Sequence, residues 1–200
     1  MEGAWQSARG SDRMESIFEA AARHFYEKGY HATTIEDIAG EVGMLKGSIY
    51  YYIESKEELL YKIFLDVIEH GQAGVEKALK DVTDPAEQLE RGLEQHIEAI
   101  IRNQARCGLF LHEFNALSKR RKQHVQEARK KYQKIFVEII ARGQQSGAFV
   151  EGDPNLLVNA VLGMCNWVCR WYRSENSPPL ETVKKTYVGI VKGGIARPKA

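Results

Sequence analysis

"GMLKGSIYYYIESKEEL", Gly43–Leu59, sets three tyrosines side by side at Tyr50, Tyr51 and Tyr52. A packed core has little use for three adjacent phenols, so the stretch is read as a helix, at about 100° per residue. Leu45, Ile49 and Ile53 then fall on one face, with Tyr52 at its edge. Gly47, Ser48, Tyr50 and Tyr51 fall opposite, bracketed by Lys46. The inward face belongs to a core, and the outward face is a short strip of glycine, hydroxyls and one ammonium.

Working outward, the flanking sequence supplies two more helices and the signals that separate them. Asp12 with Glu15 reads as an N-terminal cap for a helix carrying Met14, Ile17, Phe18, Ala21 and Phe25, stopped at Gly29. Thr34, with Asp37 three residues on, caps a short helix whose apolar residues are Ile35, Ile38, Ala39 and Val42. That helix closes at Gly43. Ser55 followed by Glu58 opens a long amphipathic helix running to about Leu79. Two short helices joined by a tight turn, with a third in support, make a helix-turn-helix. In such motifs the second helix enters the major groove of DNA. Gly47 lets backbone approach closely, Ser48 and the tyrosines offer hydroxyls, and Lys46 reaches phosphate or guanine. Thr34 and Lys56 sit at helix starts, where free N–H groups attract anions.

The remainder reads as helix throughout. Asp84-Pro85 and Asp153-Pro154 are start signals, Lys119–Arg142 is one long amphipathic run, and Pro178-Pro179 opens a last helix ending near Gly193-Gly194. Cys107–Leu117 is short and apolar. The expected fold class is all-α, with nine helices and no strand. Expected domains are 1–56 for DNA binding and 57–200 for effector binding and dimerisation, joined through the helix at Ser55 without a linker.

Bulk numbers narrow the function classes. The 200-residue chain is 44% hydrophobic and 28% charged with a formal net charge of +1, which is the balance of a soluble globular protein. Residues 1–56 hold six Lys/Arg against nine Asp/Glu, a net of −3. Any DNA binding must therefore use placed groups and not a general basic field. Three cysteines, no apolar leader and no apolar run of membrane-spanning length predict a reducing cytoplasm. The six histidines show no paired spacing, so neither a metal nor a cofactor is expected. No P-loop, G-x-S-x-G, HExxH or G-x-G-x-x-G motif occurs, which excludes the enzyme classes those motifs mark and leaves no catalytic residue to name.

The ordered set of motifs in "TTIEDIAGEVGMLKGSIYYYIESKEELL", Thr33–Leu60, closely resembles the N-terminal signature of the TetR family of bacterial transcriptional repressors. By that resemblance Thr33, Thr34, Lys46, Gly47, Ser48, Tyr50, Tyr51, Tyr52 and Lys56 occupy positions that commonly touch operator DNA. Leu45 departs from the pattern, standing where a serine often caps the recognition helix. Ile53 replaces a frequent aromatic. The resemblance also implies a homodimer joined by the two final helices.

The apolar pattern of one helix is compatible with that dimer. In "LLVNAVLGMCNWVCRWYR", Leu156–Arg173, Leu157, Val161, Met164, Val168 and Trp171 form one stripe and Leu156, Ala160, Gly163 and Trp167 a second. A helix apolar over so wide an arc is covered on two sides. One side can face its own domain, and the other a copy of the chain, together with Val183, Tyr187, Ile190 and Val191, as the resemblance implies. An isologous pair suits a palindromic operator.

An effector site is expected among Ile100, Phe110, Phe114, Phe136, Met164 and Trp167, with Arg170 beside them, although ordinary core explains each of the apolar six singly. Residues 119–134 hold eight Lys/Arg against Glu127 alone. A solvated face is the default reading of such a run. The alternative is a phosphate-bearing ligand with an apolar tail, of which acyl-coenzyme A is the type. The segment "NWVCRWYR" is also similar to TetR members that sense coenzyme A thioesters in lipid breakdown. The expected function is a repressor released from its operator by a small apolar effector. The alternatives are an activator, a ligand-independent regulator, or a helical enzyme acting on a lipid-like substrate.

Overall fold

A computed structural model of the chain describes residues 2–196, with side chains described from residue 12 onward. Helices follow in the order α1 (Glu2–Lys28), α2 (Ile35–Glu41), α3 (Lys46–Ile49), α4 (Lys56–Leu79), α5 (Pro85–Arg102), α6 (Gln104–His112), α7 (Lys119–Gln145), α8 (Pro154–Asn166), α9 (Val168–Trp171) and α10 (Leu180–Ile195). A single 3-10 turn at Phe114–Ala116 links α6 to α7. Among the described residues no strand forms; an isolated antiparallel bridge pairs Phe149 with Ala196. The expected all-α class is therefore observed. Its expected eighth helix is broken, because Trp167 both ends α8 and starts α9.

Packing separates two compact units: residues 1–67 with 105–125, and residues 68–104 with 126–200. The long helices α4 and α7 each contribute to both. A single cut at residue 56 does not describe this packing, since the first part of α4 and most of α6 belong with the N-terminal helices.

In the first unit Ile17, Phe18, Ala21 and Phe25 of α1 are buried with Ile35 and Ile38 of α2, Ile49 of α3 and Leu59, Leu60, Ile63 and Phe64 of α4. The spacing of these residues is what their helices require to bury one face. Helix α1 begins ten residues before the expected cap. Asp12 lies inside it, and its carbonyl accepts a bond from the Ser16 hydroxyl at 3.0 Å. A buried cation ties three helices together. The Arg106 guanidinium of α6 donates to Glu15 of α1 at 2.6 Å and to Asp66 of α4 at 2.9 Å. Its plane lies over the Phe18 ring, 5.9 Å from the centroid.

In the second unit α5 packs against α8, α9 and α10. Asp84 caps α5 by accepting from the Glu87 N–H at 2.8 Å, with Pro85 in the first turn, and Asp153-Pro154 starts α8 in the same way. Leu89, Leu93, Ile97, Phe136, Ile139 and Ile140 are buried. Lys184 of α10 pairs with Glu98 of α5 at 3.3 Å and Lys192 with Glu90 at 2.6 Å, fixing the register of the two helices. Burying the apolar faces supplies the stabilisation; exposed pairs of the latter kind add little.

Candidate functional site

The strip that opened the sequence reading is built by short-range chemistry. Thr34 caps α2 reciprocally with Asp37: its hydroxyl accepts from the Asp37 N–H at 3.1 Å, and the Asp37 carboxylate accepts from the Thr34 N–H at 2.8 Å. Those bonds hold the Asp37 carboxyl below the usual carboxylate range. The chain then leaves α2 through Gly43, whose φ of +64° falls in the left-handed region that a side chain disfavours. Leu45 is extended, and α3 starts at Lys46 with no side-chain cap, as its departure from the family pattern implies.

What α3 presents is an exposed flank. Lys46, Gly47, Tyr50 and Tyr51 are exposed and Ser48 and Tyr52 half-buried, while Ile49 and Ile53 are sealed in the core. Tyr51 is 90% exposed, an extreme value for a tyrosine. One inward assignment fails. Leu45, expected beside Ile49, is 80% exposed. The helical wheel does not apply to it, because it precedes the first helical residue.

Three of the residues expected at DNA have other work. Thr33 is fully buried, and its hydroxyl donates to the carbonyls of Gly29 at 2.9 Å and His24 at 3.1 Å. Its side chain therefore fastens the α1–α2 loop and is withheld from any ligand. Lys56 sits over the Tyr30 ring and donates to the carbonyls of Tyr30 and Thr33, both at 2.8 Å, and of His31 at 3.3 Å. Its ammonium braces the same loop. The Tyr52 carbonyl accepts from Lys62 at 3.0 Å, which satisfies the end of the α3 turn.

The cations of this surface are already partnered. Arg23 and His24 meet Glu41, Lys28 lies 3.7 Å from Asp37, and Lys46 pairs with Glu36 of α2. The last pair raises the Lys46 ammonium and lowers the Glu36 carboxyl from their ordinary values, each through the hydrogen bond between them. Neither Glu36 nor Arg106 was singled out in the sequence. The signal for Glu36 was its place in the first turn of α2, next to the start of α3 in a helix-turn-helix. The signal for Arg106 was a lone cation opening an apolar segment.

The second unit exposes a different surface. Leu156, Ala160, Gly163 and Trp167, the second of the two expected stripes, all face solvent, with Leu156 66% and Trp167 59% exposed. Ile190 of α10 is 57% exposed, and Trp171 stacks beside Tyr187, its indole N–H donating to the Tyr187 hydroxyl at 3.2 Å. Val183 and Val191, expected on the same seam, are instead buried within the protomer. They lie on the side of α10 that faces α5.

The expected effector residues do not form one set. Phe110 and Phe114 belong to the first unit, where both rings lie against Phe64, at 4.3 and 6.1 Å between centroids. Ile100 and Phe136 are buried in the second unit and Met164 is half-buried there. Trp167 and Arg170 are exposed, so Trp167 is not an interior wall: it continues the solvent-facing stripe of Leu156, Ala160 and Gly163. His96, not among the expected effector residues, is buried beside Phe136 and bonded through Nδ1 to the Tyr132 hydroxyl at 2.6 Å. Burial pushes its imidazole down to about 4. Among the described residues no group of His, Cys, Asp and Glu is placed to hold a metal ion.

Comparison with known proteins agrees along the chain. Residues 17–63 match the family described as bacterial regulatory proteins, tetR family. Residues 82–195 match the tetracyclin repressor-like C-terminal domain. The transcriptional repressor KstR2 of Mycolicibacterium smegmatis is 30% identical over 189 residues, 94% of this chain and 92% of its own. Among solved structures, the TetR family regulator PfmR of Thermus thermophilus is 35% identical with a TM-score of 0.82, covering 90% of this chain and 99% of its own. AibR, solved with isovaleryl coenzyme A and operator DNA, is 26% identical with a TM-score of 0.80, covering 89% of this chain and 97% of its own. The family and these relatives are regulators and not enzymes. The chain belongs to the TetR family of bacterial regulatory proteins and is a DNA-binding transcriptional regulator.

Proposed function

We propose that the chain is a homodimeric repressor that leaves its operator when an acyl-coenzyme A or related thioester binds. The observation that carries the DNA half is the exposed flank of Lys46, Gly47, Tyr50 and Tyr51, with Ser48 half-buried among them, above buried Ile49 and Ile53. Each protomer offers one such flank to one major groove. Residues 1–56 hold the reading face, with Thr34 and Tyr52 at its margins and Thr33 and Lys56 setting its shape. Residues 57–200 carry dimerisation and effector binding.

The dimer is supported by the wholly exposed stripe Leu156–Ala160–Gly163–Trp167 with Ile190, an apolar surface that a monomer would leave in water. Two-fold pairing through it brings two recognition helices to half-sites about 34 Å apart. The effector reading rests on the cations of α7 and on the thioester found with AibR. In this reading the acyl part is accommodated among Ile100, Phe136 and Met164, while Lys130, Lys131 and Lys134 of the same unit supply charge for phosphates. Binding displaces α4, whose backbone is continuous between the two units, and the recognition helices lose the operator spacing. Coupling of this type is worth about 1–3 kcal/mol, roughly 5- to 150-fold in operator affinity. The setting is the cytoplasm, and no described helix is long and apolar enough to cross a membrane.

The test pairs calorimetry with gel shift. A long-chain acyl-coenzyme A should bind and release a selected operator, whereas the free fatty acid and a detergent should do neither. Equal binding of all three removes the thioester reading. Tight operator binding unaffected by any of them favours a ligand-independent regulator.

A further inference from the structure

The first unit approaches a polyanion with an unfavourable charge balance, and its most exposed recognition cation is held by an acid. Lys46 opens α3 and Glu36 stands in the first turn of α2; the two side chains form an ion pair while 51% and 58% exposed. Other cations described around this face are also engaged: Arg23 with Glu41, Lys28 with Asp37, Lys62 with Glu58, and Lys56 with three carbonyls. With residues 1–56 at a net of −3, little charge remains for phosphates of arbitrary sequence.

We infer that Glu36 is a specificity-determining residue: it competes with phosphate for Lys46 and so suppresses binding to DNA that offers no matching base edge. This rests on the assignment of the Lys46–Tyr51 flank to DNA. Non-specific affinity comes almost wholly from cations displacing counterions on phosphates. A lysine already paired gains nothing by exchanging one anion for another, and it leaves a carboxylate facing the backbone if it does. At the correct site guanine O6 and N7 meet donors of the ammonium that its pair with Glu36 leaves free, since it has three, and random sequence does not supply those acceptors in register. The acid therefore weakens wrong complexes more than right ones, which is how repulsion creates selectivity. An exposed pair of this kind contributes little to folding, so the effect is separable from stability.

The experiment uses the full-length chain, an operator duplex selected by the wild type from a random library, and an unrelated duplex of the same length. Affinities are read by fluorescence anisotropy between about 50 and 300 mM NaCl, the range where counterion release dominates. Glu36→Gln should bind the unrelated duplex about 5- to 20-fold more tightly, with its salt slope steeper by about one released counterion. Operator affinity should rise less, so the ratio of the two falls. Glu36→Asp should keep the wild-type ratio. In a Lys46→Met background the slope gained from Glu36→Gln should disappear. An unchanged random-duplex affinity, an equal gain on both duplexes, or a slope gain that persists without Lys46 each overturns the inference. Failure of the underlying face assignment is distinct: Lys46→Met alone would then leave operator affinity untouched.

Discussion

Two exposed faces of this molecule break the rule of apolar inside and polar outside, in opposite senses. On α3 and the residues flanking it the exposed groups are Leu45, Lys46, Gly47, Tyr50 and Tyr51, the helix itself being four residues long with no side-chain cap. Along one stripe of α8, a capped helix of 13 residues, they are Leu156, Ala160 and Gly163, continued by Trp167 at its end. The first face is short and wet, suited to a groove lined with phosphates and water. The second is long and dry, suited to a surface like itself. Partner chemistry, and not folding, accounts for both.

The sharpest way to break that contrast is to charge the dry face. Trp167→Glu should convert the protein to a monomer in sedimentation and lower operator affinity by at least about 100-fold, the typical avidity lost when two linked sites are uncoupled. Melting of each protomer should change little, because Trp167 is 59% exposed and supports no core. A dimer that survives the substitution places the seam elsewhere. The matching change on the wet face, Tyr51→Glu, should spare the dimer and still abolish operator binding through repulsion by phosphate.

A second prediction turns on how dry the interior behind the seam is. His96 is held near 4 by burial, against an ordinary value of 6.5. The unfolded chain therefore takes up this proton first as pH falls. Stability from the neutral imidazole is complete above pH 6.5 and is lost progressively toward pH 4. The loss amounts to roughly 3 kcal/mol at about 1.4 kcal/mol per unit. Denaturant titrations between pH 7 and 4 should show that loss in the wild type and a much flatter profile in His96→Phe. Parallel profiles for the two proteins would assign the acid sensitivity to other groups.

Local chemistry made much of this fold legible in the sequence. Thr34 with Asp37, Asp84 with Pro85 and Asp153 with Pro154 mark the starts of α2, α5 and α8, because a cap involves neighbours only three or four residues apart. The outward turn of Tyr50 and Tyr51 followed from the same short-range geometry. Failures came where a residue's fate is decided far along the chain or by where a helix begins. Leu45 was placed on a helical wheel that starts one residue after it. Lys56 was read as an anion-binding helix start, whereas carbonyls more than 20 residues earlier capture it. Trp167 is expected both on the seam stripe and in the effector lining, and nothing local decides between them; the structure gives it to the stripe that faces solvent. Buried Arg106 is explained by acids 91 and 40 residues away, at separations no spacing rule reaches.

The cap of α2 offers a milder perturbation that distinguishes shape from contact. Thr34→Ala removes the hydroxyl that meets the Asp37 N–H, which should cost about 1 kcal/mol of stability. Thr34→Ser restores it. If Thr34 acts on DNA only by holding α2, operator affinity should follow stability in both variants. A loss of affinity in the serine variant at full stability would reveal direct contact by the missing methyl.

The smallest expected effect is the most specific to the wet face. Tyr51 is 90% exposed, and the phenol touches nothing whose loss would unfold α3. Tyr51→Phe keeps the ring and removes one hydroxyl, so melting should be unchanged within about 0.5 kcal/mol. A hydrogen bond to phosphate is worth about 0.5–1.5 kcal/mol net, which predicts operator binding weaker by roughly 2- to 10-fold. Since phosphate carries no sequence information, the unrelated duplex should weaken by a similar factor and the ratio between the two should hold. Glu36→Gln moves that ratio; Tyr51→Phe should not. Affinity that falls on the operator alone would mean that Tyr51 reads a base edge, and the division of labour between lysine and tyrosine on this flank would have to be redrawn.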